Sequence, residues 1–350
     1  MKDSVKYVIE RILFIFLTAF IILSLAYILL QCLPVEPQAT SDAARWVFWE
    51  NAVRLGFYYR VESLEDIVAG HYDVTFSYNG QACYYAAYPI LYRYFVWLGN
   101  IFLRWDWGVS TSLQINRTAI DIMMTGLPYS MRLNIISMLI SIPLGIGLGI
   151  LAALKKNTWV DALISTVIMI FISVPSFVLI SFLLIMFRQI PGFPTAWPAD
   201  AAAAADPILA VQAYIIPVMA LCFGSICSFA RYTRAELTEV MSSEFLLLAR
   251  TKGLTRGQSI VRHALRNSMV PIVPMIIAEF IAILSGSMVL EQIYGIPGIG
   301  SIFVKALTAK DYSVIMVDMA IYTIIGLFAT LIIDLSYGIV DPRIRMGARK

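Results

Sequence analysis

Apolar positions along this chain come in long unbroken blocks, not in the alternating or striped patterns of a water-facing fold. Residues 12–33 and 133–154 each run 22 positions without a charge, and 162–187 runs 26. A shorter block covers 213–230. Block 269–290 is interrupted only by Glu279, and block 314–340 only by Asp318 and Asp334. A hydrocarbon core of roughly 30 Å needs about 20 apolar residues in helix to cross it. The pattern predicts an all-α polytopic membrane protein with six transmembrane helices and no fixed-period repeat. Buried helices of a large soluble protein are the competing reading, but soluble cores rarely need uncharged runs of this length.

Composition supports the membrane reading. Only 14% of the 350 residues are charged, against roughly a quarter in soluble domains, and the mean hydropathy is +0.77. Abundant aliphatics, 20 Gly and four Cys exclude disorder, collagen and a disulfide scaffold. A net charge of +3 is too small to suggest nucleic acid as a partner; membrane lipid is the expected one.

Charge distribution sets the expected topology. With the N-terminus inside, the inner segments are 1–11, 155–161, 231–267 and 341–350. Together they carry 16 Lys and Arg against 7 Asp and Glu, and the excess reverses outside. The positive-inside rule therefore places both termini in the cytoplasm. The resulting organisation is a cytoplasmic N-terminus (1–11), a first span (12–33) and an external aromatic-rich segment (34–117). A core (118–340) then holds spans two to six and the inner loop 231–267, followed by a cytoplasmic tail (341–350). The first block exceeds the 7–15 residues of a signal-peptide core and reads as an uncleaved anchor.

The external segment carries Trp46, Trp49, Trp97, Trp105 and Trp107, which suit a headgroup-level layer. Residues 92–104 (YRYFVWLGNIFLR) fit an interfacial helix. The outer loop 188–212, with Pro191, Pro194, Pro198 and five consecutive alanines, reads as irregular with one short helix. Cys32 and Cys83 would both face the exterior, where a bridge is one option and two free thiols the favoured one. Cys222 and Cys227 read as apolar filler, the sequon at Asn116 as accidental, and Gly145, Gly147 and Gly149 as close helix packing.

Catalytic motifs are missing. The sequence contains no GxxxxGK[ST] phosphate cradle, HExxH, CxxC or nucleophilic-serine elbow. His71 and His263 fall on opposite sides of the expected membrane and cannot share a metal. Neither a catalytic residue nor a metal or cofactor of this chain's own is expected, so any driving energy must enter from elsewhere.

The inner loop 231–267 is the most informative segment. Residues 231–241 continue the fourth span into water. Ser242 or Ser243 fits an N-cap, and Glu244 suits the first turn of a helix over 244–252. Gly253 fits its left-handed end, and a second helix over 256–267 leads through Pro271 and Pro274 to the fifth span. The product is an elbow with an apolar patch, Phe245 to Leu248. Such a patch either docks on a partner or folds back onto the membrane beside Arg250 and Lys252.

The stretch ARTKGLTRGQSIVRHALRNSMVPIVP (249–274) resembles the coupling loop of ABC-importer permeases. Ala249 and Gly253 match the motif's second Ala and Gly, while Leu247 and Leu248 replace its Glu and Ala. RWDWGVSTSL (104–113), SVPSF (173–177), LEQIYGIPGIG (290–300) and DPRIRMG (341–347) resemble the first of the two unlike permeases of oligopeptide and dipeptide importers. The resemblance covers 11–33 and 93–347 and breaks at 55–89, an external stretch that reads as a small extra cap or a decoration. It implies the type I ABC-importer permease fold in a bacterial or archaeal cytoplasmic membrane. The implied partners are a second homologous permease, two ATP-binding subunits that use ATP and Mg, and an extracellular or periplasmic substrate-binding protein. It also implies that Glu244, Phe245, Leu248, Ala249, Lys252, Gly253 and Leu254 contact the ATPase.

Ionisable groups within a span are costly and often line a cavity or pair. Glu279 stands where the family is expected to carry an uncharged polar residue. It either faces the lumen, accommodating a peptide's amino terminus, or is buried against Arg132 or as a protonated carboxyl. Asp318 is a second pathway candidate; Asp334 reads as structural. A stand-alone secondary transporter or channel is the alternative function, and a membrane scaffold a third. Nickel chelates, glutathione or signalling peptides are alternative cargoes of the same complex type.

Overall fold

The computed structural model describes residues 2–33, 41–283 and 286–340. The DPRIRMG stretch, the tail 341–350 and the first residues of the external segment (34–40) lie outside the described residues. In chain order the elements begin with α1 (Lys2–Gln31), α2 (Asp42–Arg54), β1 (Tyr58–Arg60), α3 (Leu64–Ala69), β2 (Val74–Tyr78), β3 (Gln81–Ala87) and α4 (Ile90–Arg104). Then come α5 (Ala119–Leu154), α6 (Trp159–Ser173), α7 (Ser176–Phe187), α8 (Asp200–Ala205), α9 (Pro207–Met241) and α10 (Glu244–Thr251). The chain continues through α11 (Arg256–Ser259), a π turn (Ile260–Ala264), α12 (Leu265–Ser268), α13 (Ile272–Ala282), α14 (Met288–Tyr294), α15 (Ile299–Thr308) and α16 (Tyr312–Val340).

Among the described residues four helices are long and apolar enough to cross a bilayer: Lys6–Gln31, Ala119–Leu154, Pro207–Met241 and Tyr312–Ser336. Two bent pairs bring the number to six if each pair counts as one crossing. The third expected span is not one straight helix: α6 and α7 meet at 102°. Val174, the residue before Pro175, is extended (φ −88°, ψ 120°), as the proline ring disfavours helix there. The fifth expected span is also broken. Helix α13 makes a 53° bend with Arg256–Ser268, and a separate helix, α14, starts at Met288.

The chain forms two compact units. One comprises Met1–Ile12, Pro128–Ser301 and Ile325–Lys350; the other comprises Leu13–Leu127 and Ile302–Ile324. In the first, α5 and α9 touch closely. A Cβ added at Gly145 would lie 2.6 Å from the Phe229 Cβ, and one at Gly149 would lie 2.6 Å from the Ala230 carbonyl oxygen. Gly147 meets nothing within 4 Å, so two of the three expected packing glycines pack. The segment after α13 wraps around the fully buried Glu291. Ser130 Oγ donates to its Oε1 at 2.7 Å, Ser287 N–H to Oε1 at 3.2 Å, and Ser301 N–H to Oε2 at 3.1 Å. Gly286 and Gly298 lie against the same carboxylate, with no room for a side chain.

The second unit holds the described part of the external segment. It contains a three-stranded antiparallel sheet in the order β1-β3-β2, with Phe76 opposite Cys83. This sheet is a β element that the sequence pattern did not predict in an otherwise helical chain. Its hairpin turns at Asn79 (φ 52°) and Gly80 (φ 78°), the pair of left-handed residues that a type I′ turn needs. Trp49 lies under the sheet beside Phe48, Tyr58 and Tyr85. The Tyr85 hydroxyl donates to Glu50 at 2.9 Å; burial and that carboxylate push its phenol well above the usual range, keeping it neutral. Helix α4 buries Arg93, Trp97 and Ile101 and exposes Leu91, Phe95, Phe102 and Leu103. Trp97 stacks on Tyr27 at 4.4 Å. Trp49 and Trp97 are therefore core residues and not headgroup anchors, whereas Trp105 is 70% exposed. Cys32 and Cys83 are both free thiols.

In the same unit, buried Asp311 ties down the RWDWGVSTSL loop. One oxygen accepts from Ser110 Oγ at 2.5 Å and from the N–H groups of Ser112 and Leu113, both at 3.2 Å.

Glu291→Ala should leave three donors without their carboxylate. At about 1–3 kcal/mol per unsatisfied buried group, the account expects a fall of several degrees in apparent Tm in detergent, with unchanged Tm as the contrary result. Gly149→Ala should destabilise by about 1–3 kcal/mol through overpacking, read as a lower Tm. Gly147→Ala should be neutral or slightly stabilising on the same thermal assay, because that helix position is open.

Candidate functional site

The candidate coupling elbow is built from α9 downward. Helix α9 runs unbroken from Pro207 through Pro217 to Met241, so the fourth span and the start of the inner loop form one rod. Ser242 ends it, and Ser243 (φ −76°, ψ 147°) turns the chain into α10. Ser243 occupies the N-cap position without a side-chain cap. Its hydroxyl donates back to the Val240 carbonyl oxygen at 2.5 Å. Glu244 lies in the first turn of α10, where the helix dipole favours an acid.

Helix α10 divides its apolar residues. Leu246 is buried against Ala153, Leu237, Ile260 and Ala264. Phe245, Leu247 and Leu248 are 42%, 62% and 56% exposed. The expected four-residue patch is therefore three exposed residues around one anchor. Ala249 and Leu254 are half-buried, and Lys252 and Gly253 are exposed. Gly253 sits at φ +92° with its N–H on the Arg250 carbonyl, the left-handed geometry that only glycine adopts without strain. A capping box between Thr255 and Gln258 starts the next helix, and the π turn at Ile260–Ala264 carries it towards α13.

One ion pair braces the rod. Arg234 donates from Nε to Asp161 Oδ1 at 2.5 Å and from Nη2 to Oδ2 at 2.9 Å. Asp161 is buried at the start of α6, where it also accepts from the Asn157 N–H at 3.1 Å and Ser165 Oγ at 3.3 Å. Sequence reasoning missed this pair, since 73 positions separate the two residues and each reads as an ordinary inner-loop charge. A second pair, Arg11 to Asp334 at 3.2 Å, gives Asp334 the structural role expected of it. It also joins the beginning of α1 to the far end of α16.

The two pathway candidates lie in different units. Glu279, on α13, is half-buried and accepts from Ser225 Oγ at 2.5 Å. It lines a recess of about 70 Å³ with Asn134, Ser137, Leu221 and Ala282. Arg132, the partner considered for it, is exposed and forms no ion pair among the described residues. Asp318 is fully buried in α16 and is not part of that recess. Among the described residues no cluster of His, Cys, Asp and Glu could hold a metal ion.

The family model of the binding-protein-dependent transport system inner membrane component matches residues 145–346, a range that contains the elbow, Glu279 and Glu291. The dipeptide transport system permease protein DppB of Bacillus subtilis is 33% identical over 270 residues, covering 77% of this chain and 83% of its own. DppB of Lactococcus lactis is 30% identical over 348 residues, covering 98% of this chain and all of its own. The oligopeptide transport system permease protein OppB of Salmonella typhimurium is 32% identical over 271 residues, covering 76% and 84%. The match to the Lactococcus protein runs across the external stretch 55–89. The chain belongs to the binding-protein-dependent transport system inner membrane components and is a membrane-embedded permease.

Proposed function

We propose that this permease carries peptides into the cell as one subunit of an ATP-driven importer, and that the elbow 242–268 is where the driving force enters. The relatives' names as dipeptide and oligopeptide permeases support the cargo class. The observation that carries the coupling role is the split of α10: Leu246 fixes the helix to the bundle, while Phe245, Leu247 and Leu248 face outward for a partner. Glu244, Ala249, Lys252, Gly253 and Leu254 frame that contact.

The assembly in this reading contains a second homologous permease, two ATP-binding subunits and an external substrate-binding protein. ATP and Mg belong to the partner ATPases, and this chain supplies no catalytic group. Both termini and the elbow are cytoplasmic. The basic excess of the inner segments and the Arg11–Asp334 pair support that topology. The residues 34–117 face the binding protein's side.

Mechanically, the bundle has inward-facing and outward-facing states, and a partner shifts their balance only by binding one state better than the other. ATP-driven closure of the two ATPases draws the elbows together. Because α9 is continuous from the elbow into the core, and Asp161–Arg234 ties it to α6, displacement at α10 is passed to the spans without a flexible joint in α9. The external binding protein then delivers cargo to the outward-facing state, and hydrolysis resets it.

Leu248→Asp places a charge in the proposed apolar contact, and Gly253→Pro forces φ from +92° to about −65°. Each should weaken docking by about 2 kcal/mol, roughly thirtyfold. Peptide uptake should fall accordingly while the protein remains in the membrane at normal levels. Normal uptake by both variants at wild-type protein levels would contradict the coupling role. Leu246→Ala should instead loosen the elbow itself, read as a lower Tm together with reduced uptake.

A further inference from the structure

The recess at Glu279 is built from three helices. Asn134 and Ser137 come from α5, Leu221 and Ser225 from α9, and Glu279 and Ala282 from α13. Its neutral polar groups are engaged in holding its shape. Asn134 Nδ2 donates to the Ile283 carbonyl at 3.1 Å, and the Ser137 hydroxyl lies 3.4 Å from Cys222 Sγ. Glu279 therefore sets the charge of the recess. A carboxylate offers roughly four acceptor sites, and the Ser225 hydroxyl meets one of them. Among the described residues no Lys, Arg or His pairs with it.

Size narrows the ligand. A water needs roughly 10–15 Å³ of such space, so about 70 Å³ has room for a few waters or one small polar head. The complement of a lone carboxylate in a recess of that size, on a helix where a charge is otherwise costly, is a compact cation with several N–H donors.

We propose that this recess is a subsite for a primary ammonium group, the free amino terminus of a peptide in transit. The inference rests on the peptide-import reading above. In passage, the ammonium displaces water from the recess and donates to Glu279, while Ser225 holds the carboxylate's other face. The remainder of the peptide stays outside the recess, which makes the subsite indifferent to side chains and selective for the terminus.

The test uses the complete importer reconstituted in proteoliposomes, with trialanine and N-acetyl-trialanine as probes. Uptake rates are normalised to equal occupancy of the external binding protein, so that its own preference drops out. The wild-type complex should favour the free amine, and Glu279→Gln should lower the ratio of free-amine to acetylated uptake about tenfold, the equivalent of about 1.4 kcal/mol. Ser225→Ala should move the ratio in the same direction by less. An unchanged ratio in Glu279→Gln overturns the proposal. So does a wild-type complex that carries both peptides equally, a result that needs no variant to fold. If the wild-type complex imports neither peptide, the peptide-import reading itself fails; if it imports both and only the ratio stays fixed, the subsite alone fails.

Discussion

Inside a bilayer no water is present to take up a loose backbone group, so every interruption of a helix must be satisfied by the protein itself. The regions around Glu291 and Asp161, at the ends of the expected spans, meet the same demand for internal partners. Where the chain leaves α13, Glu291 accepts from Ser130, Ser287 and Ser301, and Gly286 and Gly298 let the backbone close around it. Where α6 begins, Asp161 accepts from Asn157, Ser165 and Arg234. Irregular backbone in this fold is thus organised around single buried carboxylates that serve several donors at once.

The same economy explains how a movement at the inner end could reach the spans. Helix α9 runs 35 residues from Pro207 to the elbow. The close approach of α5 at Gly145 and Gly149 and the Arg234–Asp161 fork hold it to neighbours on two sides. A rod gripped in that way transmits displacement as a body. The elbow has the opposite character: one anchor, Leu246, and three apolar side chains exposed around it. A surface of that kind suits docking, on a partner or on the membrane surface.

Much of this was legible in the sequence. Charge-free blocks gave the helices, and the elbow was readable down to the left-handed turn at Gly253, because caps and glycines act locally. The bends were not. Pro128 and Pro143 sit within α5 and Pro217 within α9 without ending either helix, whereas Pro175 breaks the third span. Proline alone therefore does not tell a tolerated position from a break. The type I′ signal at Asn79-Gly80 was present and could have revealed the hairpin, but a scan tuned to long apolar blocks passes over five-residue strands. Glu291 and Asp161 each looked like an ordinary flanking charge, since one decisive donor to each, Ser130 and Arg234, comes from a distant position in the chain. Glu279 was visible as a misplaced charge, while its company of Ser225 and Asn134 was not.

The central claim is that force enters through α10, and the most direct measurement is proximity. A single Leu248→Cys substitution in the assembled importer, with a short cross-linker, should join this chain to an ATP-binding subunit, and the yield should change with ATP. The same chemistry at exposed Val68 in the external segment should yield no such product. An intact, transport-competent complex in which position 248 never cross-links to an ATP-binding subunit, or reacts with an impermeant reagent added outside the cell, would contradict the account.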